Sequence, residues 1–279
     1  MSMVLANGLS IHVEQLAPPE PVSGVPSAAP TAVLIHGLAL DTLASWYLTL
    51  ASPLAAAGLN VVMYDLRGHG HTERPPEGYT LDDFVDDLEA LLAALDITDP
   101  VLLLGNSFGG TIAFSYAARH PERVAAIATV ESLPPTAAWL ERMPGWLDKA
   151  AAHLPGGHVL AEIDAGRGER VFRLAMAARE VLDATSVRRD VPASRLPAEE
   201  RIAAIGCPVL CVYGGESRVG ALAPDVRRLL PHAQIVTVPG QRHTVLVDRP
   251  NSIRDIVMPW VRRAGGLRCE DHQLASIDS

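Results

Sequence analysis

A serine between glycines is the residue of this sequence with the most specific chemistry. Residues 105–109 read Gly-Asn-Ser-Phe-Gly, a G-x-S-x-G motif centred on Ser107. The apolar run VLLLG leads into the motif and the helix-forming stretch TIAFSYAARH follows it, so the serine lies at a strand-to-helix turn. Such a turn is sharp and needs small neighbouring residues, which Gly105, Gly109 and Gly110 provide. The pattern predicts that Ser107 is a nucleophile.

The elements that must position this serine follow a repeating pattern. Short runs that are apolar throughout alternate with helical stretches, which indicates a parallel sheet covered by helices on both faces, an α/β fold. The predicted strands begin near residues 31, 60, 101, 124, 208 and 234. The predicted helices cover 43–57, 80–95, 108–119, 219–230 and 250–263. An alternating run at 9–16 predicts an exposed antiparallel strand, and a proline-rich loop follows it.

The alternation of strands and helices stops between about residues 133 and 204. Prolines and glycines, such as Pro144 and Gly145, are expected to interrupt short helical pieces there. We expect a helical cap insertion at 133–204 and a single core made of 1–132 and 205–264, since a chain of 279 residues is within the size of one α/β domain. The polar segment 265–279 is expected to be a flexible tail.

The composition argues against several classes of partner and location. Acidic residues outnumber basic ones by 32 to 23, a net charge of −9, which disfavours binding to nucleic acid. No apolar run has the length of a membrane span and no signal segment is visible, so a cytoplasmic protein without a membrane partner is expected. The three cysteines are odd in number and lack a C-x-x-C pair, so neither a disulfide framework nor a metal site is indicated.

Four motifs in order along the chain resemble those of the α/β-hydrolase superfamily. The first is a strand that ends in His36–Gly37, and the second is YDLRGHGHTERP at 64–75. The third is the turn at Ser107, and the fourth is VPGQRH at 238–243, followed by Asp248–Pro250. The resemblance covers nearly the whole chain. It implies a mostly parallel α/β-hydrolase sheet with helices on both faces and a helical cap insertion.

The resemblance also implies roles for individual residues. Ser107 would be the nucleophile and His243, late in the chain, would act as general base and then as general acid. The backbone N–H groups of Leu38 and Phe108 would form the oxyanion hole. The histidines in the other matched motifs are implied to shape loops through hydrogen bonds to the backbone: His36, His69 and His71.

The third member of the triad departs from the family pattern. The family's acid usually lies about three residues beyond the glycine that closes the strand PVLCVYG, and Ser217 stands there. A neutral hydroxyl cannot stabilise the imidazolium that forms on His243. Some α/β-hydrolases, notably many haloalkane dehalogenases, carry the acid after the preceding strand, which here ends in Glu131. We predict that Glu131 is the relocated acid, with Glu216, or no acid at all, as alternatives.

Several large apolar side chains could line a pocket under the insertion. The candidates for binding substrate are Trp139, Met143 and Trp146, with Trp46 and Leu147 beside them. Ordinary core packing is an equal alternative for this set. Charged residues in loops at the same end of the sheet are expected to serve turns and surface ion pairs: Asp41, Asp65, Arg67 and Arg74.

The sequence favours an enzyme that cleaves an ester, a thioester or a related acyl small molecule without a cofactor or metal. GNSFGG also resembles the elbow of meta-cleavage-product hydrolases, which break carbon–carbon bonds in dienoic ketones. The lack of an aspartate at position 217 and of a tryptophan after His243 counts against that alternative. The neutral Ser217 also leaves open a lyase or a ligand-binding member of the fold. Neither the natural substrate nor the oligomeric state follows from the sequence.

Overall fold

A single eight-stranded sheet organises the protein. The computed structural model describes residues 2–19, 29–154 and 168–265, so the tail beyond Gly265, Cys269 and most of the proline-rich loop lie outside the described residues. The strands are β1 Ser2–Ala6, β2 Leu9–Leu16, β3 Thr31–Ile35, β4 Asn60–Tyr64, β5 Val101–Asn106, β6 Val124–Val130, β7 Val209–Gly214 and β8 Gln234–Val238. Their order across the sheet is β1-β2-β4-β3-β5-β6-β7-β8.

The strands from β3 to β8 pair in parallel, while β1 and β2 form an antiparallel hairpin whose second strand joins β4. All six predicted parallel strands are confirmed. The hairpin differs from expectation in two ways: β1 is an additional strand, and β2 is mostly buried rather than exposed. The reason for the burial is that both faces of β2 are covered: Ile11 and Val13 join the core under α3, and the loop after β4 covers His12.

The register of the central strands determines where the candidate residues meet. Asn106 at the end of β5 is paired with Val130 at the end of β6, and Val130 is paired with Val212 in β7. The residues that follow β5 and β6, Ser107 and Glu131, therefore leave the sheet at the same edge. In parallel α/β sheets this carboxyl edge is where ligands bind.

The helices lie where the pattern predicts them, and the structure adds several short ones. Their bounds are α1 Ala44–Trp46, α2 Ser52–Ala56, α3 Leu81–Ala94, α4 Phe108–Arg119, α5 Ala137–His153, α6 Gly168–Ala184, α7 Val187–Asp190, α8 Glu199–Ala203, α9 Ala223–Leu229, α10 Val245–Asp248 and α11 Pro250–Ala264. A π-helical turn, Tyr47–Ala51, joins α1 to α2. In the described part of the chain, no helix has the length and hydrophobicity needed to cross a bilayer.

Each face of the sheet has its own apolar core. Along β3, Val33 and Ile35 belong to one core, which α3 and α4 cover, while Ala32 and Leu34 belong to the other, which α1, α2 and α11 cover. The strands are apolar throughout because both of their faces are buried in this way.

The segment between β6 and β7 contains helices α5 to α8 among the described residues. The expected interruption at Pro144 and Gly145 is wrong, because α5 continues through both residues. Both residues lie on the exposed side of α5, while Trp139, Met143 and Leu147 are buried in the core that α3 and α4 share. Burial of that apolar stripe holds the helix together across the proline, which by itself disfavours a helix interior by about 3 kcal/mol.

A buried ion pair ties the loop after β4 to α3. The Arg67 guanidinium donates to both carboxylate oxygens of Asp87, at 2.6 Å each, and Asn7 Nδ2 donates to Asp87 Oδ1 at 2.8 Å. Arg67 and Asp87 are both buried, so the expectation of a surface ion pair is wrong for Arg67. A buried charge that loses its partner is strongly destabilising, whereas an exposed pair contributes little.

We therefore expect Asp87→Asn to lower the free energy of unfolding by about 3 kcal/mol, because it removes the buried counter-ion of Arg67 and leaves only the more exposed Asp83 carboxylate, at 3.7 Å, to face that charge. Urea denaturation monitored by circular dichroism measures the loss. The matched control is Asp86→Asn, one residue earlier in the same helix, where the side chain is half-exposed and pairs with Arg119. The control should lose less than about 1 kcal/mol, and equal losses in the two variants would contradict the prediction.

Candidate active site

Ser107 occupies a strained turn between β5 and α4. Its backbone has φ 51° and ψ −119°, a conformation that L-residues rarely adopt. Ser107 N donates to Val130 O at 2.8 Å, which fixes the turn against the end of β6. A Cβ added to Gly109 would lie 2.2 Å from Ile35 O, and one added to Gly105 would lie 2.3 Å from the Cα of Gly110. The need for small residues around the serine thus comes from backbone contact.

Ser107, His243 and Glu131 form one chain of hydrogen bonds. Ser107 Oγ lies 3.0 Å from His243 Nε2, and His243 Nδ1 lies 3.0 Å from Glu131 Oε2. An ionised carboxylate only accepts hydrogen bonds, so the imidazole proton belongs on Nδ1 and Nε2 is left to accept the serine hydroxyl. This arrangement allows His243 to take a proton from Ser107 while the carboxylate faces the positive ring that results.

The side chain of Glu131 is fully buried, and its carboxylate has three donors. Gly214 N donates to Oε1, while Ser217 Oγ and His243 Nδ1 both donate to Oε2. The backbone of Glu131 has φ 55°, and its N–H donates to Val212 O at 2.8 Å. A buried carboxylate requires such partners, since desolvation without them is costly.

Glu216, the alternative acid, lies elsewhere. It is exposed, and its carboxylate pairs with Arg242 Nε at 3.3 Å. The structure therefore brings Glu131, and not Glu216, to the histidine. The hydroxyl of Ser217, the residue at the position expected for the acid, donates to the Glu131 carboxylate.

The two predicted oxyanion donors lie in segments that Asp41 joins. Asp41 Oδ2 accepts from Gly37 N at 2.7 Å and from Asn106 Nδ2 at 2.8 Å. Leu38 directly follows the first of these donors, and Phe108 lies two residues after the second. Phe108 N is in the first turn of α4, where backbone N–H groups have no acceptor within the helix. Sequence patterns alone do not reveal this link, because Asp41 and Asn106 are 65 residues apart.

Two buried histidines hold the loop after β3, as the resemblance implies. His36 Nε2 accepts from Leu66 N, and His69 Nε2 accepts from Ala39 N, both at 2.9 Å. The Nδ1 atom of each ring faces a backbone carbonyl, so each ring is neutral with its proton on Nδ1. Burial lowers the pKa of His69 from 6.5 to about 3, which keeps the ring neutral. The exposed His71 donates its backbone N–H to Asp65 Oδ2, and its ring packs edge-on against the ring of His12.

Asp65 is buried, so the expectation of a surface ion pair is wrong for it as well, although its carboxylate does accept a backbone N–H of its own loop, from His71. Its carboxylate accepts from His12 Nδ1 at 2.7 Å and from Leu43 N at 2.9 Å. Burial alone would raise the pKa of Asp65, but hydrogen bonds from Leu43 N, His12 Nδ1 and His71 N outweigh burial and hold the pKa below its usual value. Asp65 thus joins β2 to the loop that precedes α1. Arg74 forms an ion pair with Glu180 of α6.

The aromatic candidates divide between the two faces of the sheet. Phe108, next to the nucleophile, stacks on Trp139 of α5 with ring centroids 6.2 Å apart. Trp139 and Met143 are buried, and Trp146 is half-buried against the same core. Trp46 lies on the opposite face, where its indole N–H donates to Ile35 O at 3.0 Å. The suggestion that Trp46 lines a pocket under the insertion is therefore wrong, whereas Trp139, Met143 and Trp146 stay predictions.

An open groove of about 550 Å³ lies between α5 and the α6–α7 region, and its lining includes Leu147, Asp148 and Arg188. Ser107 and His243 are not part of this lining. Among the side chains of the described ranges, no cluster of three His, Cys, Asp or Glu residues could hold a metal ion.

Comparisons with known proteins extend the similarity beyond these motifs. A family model for the alpha/beta hydrolase fold matches residues 30–158, which include Ser107 and Glu131. The chain is 25% identical over 253 residues to a non-heme chloroperoxidase of Kitasatospora aureofaciens, a match that covers 81% of this chain and 90% of that protein. It is 41% identical over 95 residues to the 2-hydroxymuconate semialdehyde hydrolase of a Pseudomonas strain, covering 33% of this chain and 32% of that protein.

A solved structure is similar to this protein over most of the chain. A carboxylesterase structure from the thaumarchaeon Nitrososphaera gargenis has a TM-score of 0.69 and 25% identity, and the match covers 95% of this chain and 99% of that one. The likeness is therefore not confined to the turn around Ser107.

The buried His69 should make the protein less stable below about pH 6.5. Its pKa is about 3 in the folded chain against an ordinary value of 6.5, so between these values the unfolded chain binds a proton that the folded chain does not. Its contribution to stability is complete above pH 6.5 and falls by about 1.4 kcal/mol per pH unit below it. Urea unfolding between pH 7 and pH 4.5 should give a shallower decline for His69→Gln, which cannot titrate.

The control for this prediction is His71→Gln, which makes the same substitution at an exposed ring in the same loop. We expect this control to keep the native decline. Parallel pH profiles for the native protein and His69→Gln would contradict the prediction.

Proposed function

Because a family model for the alpha/beta hydrolase fold matches residues 30–158, we propose that this chain is a serine hydrolase of the α/β-hydrolase superfamily that cleaves an ester, a thioester or a related acyl small molecule. The observation that carries the proposal is the hydrogen-bonded chain from Ser107 through His243 to Glu131, at 3.0 Å for each contact of the histidine. The enzymes to which the chain is similar support the hydrolase class. The nature of the acyl group is left to experiment.

The proposed reaction begins with attack of Ser107 Oγ on the substrate carbonyl carbon, as the serine proton moves to His243 Nε2. The carbonyl oxygen becomes an oxyanion, which the N–H groups of Leu38 and Phe108 stabilise. His243 then gives its proton to the leaving alkoxide or thiolate, and an acyl-serine is left. Water attacks this ester with His243 again as base, and the acid product and free serine are released.

Glu131 is the proposed acid of the triad. Its carboxylate faces the Nδ1 side of His243 and is buried, so its attraction to the imidazolium is weakly screened. The positive ring forms only as the serine proton is taken, so this attraction is stronger in the transition state than in the resting enzyme. Such differential stabilisation is what accelerates the reaction.

We further propose that 1–132 and 205–264 form the catalytic core and that 133–204 form a cap that selects the substrate. Phe108 follows the nucleophile and stacks on Trp139 of the proposed cap, and Arg74 of the core pairs with Glu180. Trp139, Met143 and Trp146 are the proposed substrate contacts, because they are the large apolar side chains on the cap helix that meets Phe108.

A second candidate is a hydrolase that breaks a carbon–carbon bond in a dienoic ketone. The observation in its favour is the 41% identity over 95 residues to the 2-hydroxymuconate semialdehyde hydrolase. Comparison of kcat/KM for a dienoic ketone and for p-nitrophenyl acetate separates the two candidates. A preference of more than about 100-fold for the ketone would favour the second.

The first prediction of this proposal concerns the nucleophile. A fluorophosphonate reacts with activated serines whatever the natural substrate, so the native protein should gain one adduct in its intact mass. Ser107→Ala should gain none, while Ser115→Ala, a control in helix α4 directly after Ser107, should be labelled like the native protein. Absence of labelling in the native protein would favour a lyase or a ligand-binding role.

The second prediction concerns the acid. Glu131→Gln keeps the size of the side chain and removes its charge, so kcat/KM for p-nitrophenyl acetate should fall by about 100-fold or more. The control is Glu216→Gln, at the neighbouring exposed carboxylate, which should change kcat/KM by less than about twofold since its surface ion pair is weak. A nearly active Glu131→Gln, or an equal loss in both variants, would refute the assignment.

A further inference from the structure

Ser217 contacts the buried carboxylate at the oxygen that serves the histidine. Its hydroxyl donates to Glu131 Oε2, and His243 Nδ1 lies 3.0 Å from the same oxygen. Among α/β-hydrolases the position of Ser217 usually carries the acid itself. Ser217, which occupies the usual position of the acid, thus donates a hydrogen bond to Glu131, the proposed acid of this chain.

We propose that Ser217 is a positioning residue whose hydroxyl orients the Glu131 carboxylate toward His243. This inference rests on the proposed function and deepens it, because it assigns a part in catalysis to a residue that does not touch the substrate.

The need for positioning follows from the length of the glutamate side chain. Glu131 leaves β6 with φ 55° and has three rotatable side-chain bonds, so its backbone alone does not determine where the carboxylate points. Gly214 N holds Oε1, which leaves the plane of the carboxylate free to rotate about that contact. A second neutral donor, on Oε2, removes this freedom, and Ser217 supplies it.

The direction of the serine hydroxyl is itself determined. Val219 N donates to Ser217 Oγ at 3.1 Å, so one lone pair of that oxygen is occupied and its proton is left for Glu131. The resulting series of donors runs from the Val219 N–H through the Ser217 hydroxyl to Glu131 Oε2. Because the acceptor is charged and buried, the last of these bonds is of the strong, charge-assisted kind.

A purely structural role for Ser217 is the competing explanation. The contact from Val219 N to Ser217 Oγ also occurs in local turns, where a serine merely stabilises the loop. In that case loss of the hydroxyl would lower stability, and any effect on the rate would be independent of Glu131. If Ser217 acts through Glu131, its effect requires the carboxylate.

A double-mutant cycle separates the two explanations. With p-nitrophenyl acetate as substrate, we expect Ser217→Ala to lower kcat about tenfold with KM within about twofold of native, since hydrogen bonds to charged groups are of that strength. Ser217→Thr, which keeps the hydroxyl, should retain most of the activity. In the Glu131→Gln background, the same Ser217→Ala change should lower kcat by less than about twofold.

Equal fold losses in the two backgrounds, or an unchanged kcat in Ser217→Ala, would overturn the positioning role. If Ser217→Ala does not fold, Ser217→Cys provides the same comparison, because a thiol keeps the side-chain size and is a weak donor. A native protein that is not labelled by fluorophosphonate and is indifferent to Glu131→Gln would refute the serine hydrolase itself. A protein that is labelled and sensitive to Glu131→Gln, but indifferent to the hydroxyl of Ser217, would refute only this inference.

Discussion

The buried carboxylate of Glu131 is the charge on which the arrangement of the site depends. Taking a carboxylate out of water is costly, so the groups around it must replace the hydrogen bonds that water would have donated. Three donors do so: Gly214 at the end of β7, Ser217 in the turn directly after it, and His243 after β8. One buried charge thus joins the segments that follow β6, β7 and β8.

The register of the parallel strands makes this possible. Ser107 and Glu131 follow paired residues of β5 and β6, and the Ser107 N–H bonds to Val130 O while the Glu131 N–H bonds to Val212 O. Both residues have positive φ, so the backbone turns sharply after β5 and again after β6. The two strained residues lie where adjacent strands end, and the backbone hydrogen bonds to the neighbouring strands stabilise their unfavourable conformations.

Much of the fold and part of the site follow from the sequence, because both depend on local pattern. Strands buried on two faces are apolar throughout, and a serine in a sharp turn needs adjacent glycines, so both leave a signal within a few residues. The buried pair of Arg67 and Asp87 leaves none, because each partner alone resembles an ordinary surface charge. The same applies to Pro144, whose helix is held by packing against distant residues and not by its own propensity. The bond from Ser217 to Glu131 is also long-range, and its only sign in the sequence is a hydroxyl at a position where the family has a carboxylate.

The histidines of the site illustrate how environment divides one residue type between two tasks. His36 and His69 are buried, and each accepts a backbone N–H on Nε2, so a proton on that nitrogen would break the bond that shapes the loop after β3. Burial opposes that proton in His69, where it lowers the pKa to about 3. The side chain of His243 is about half-exposed, and its Nε2 faces a hydroxyl whose proton it can accept. In the proposed reaction, the Glu131 carboxylate would stabilise the positive charge on His243 that the two buried rings must avoid. The same type of ring would then be a fixed acceptor in the loop and a proton carrier beside the serine.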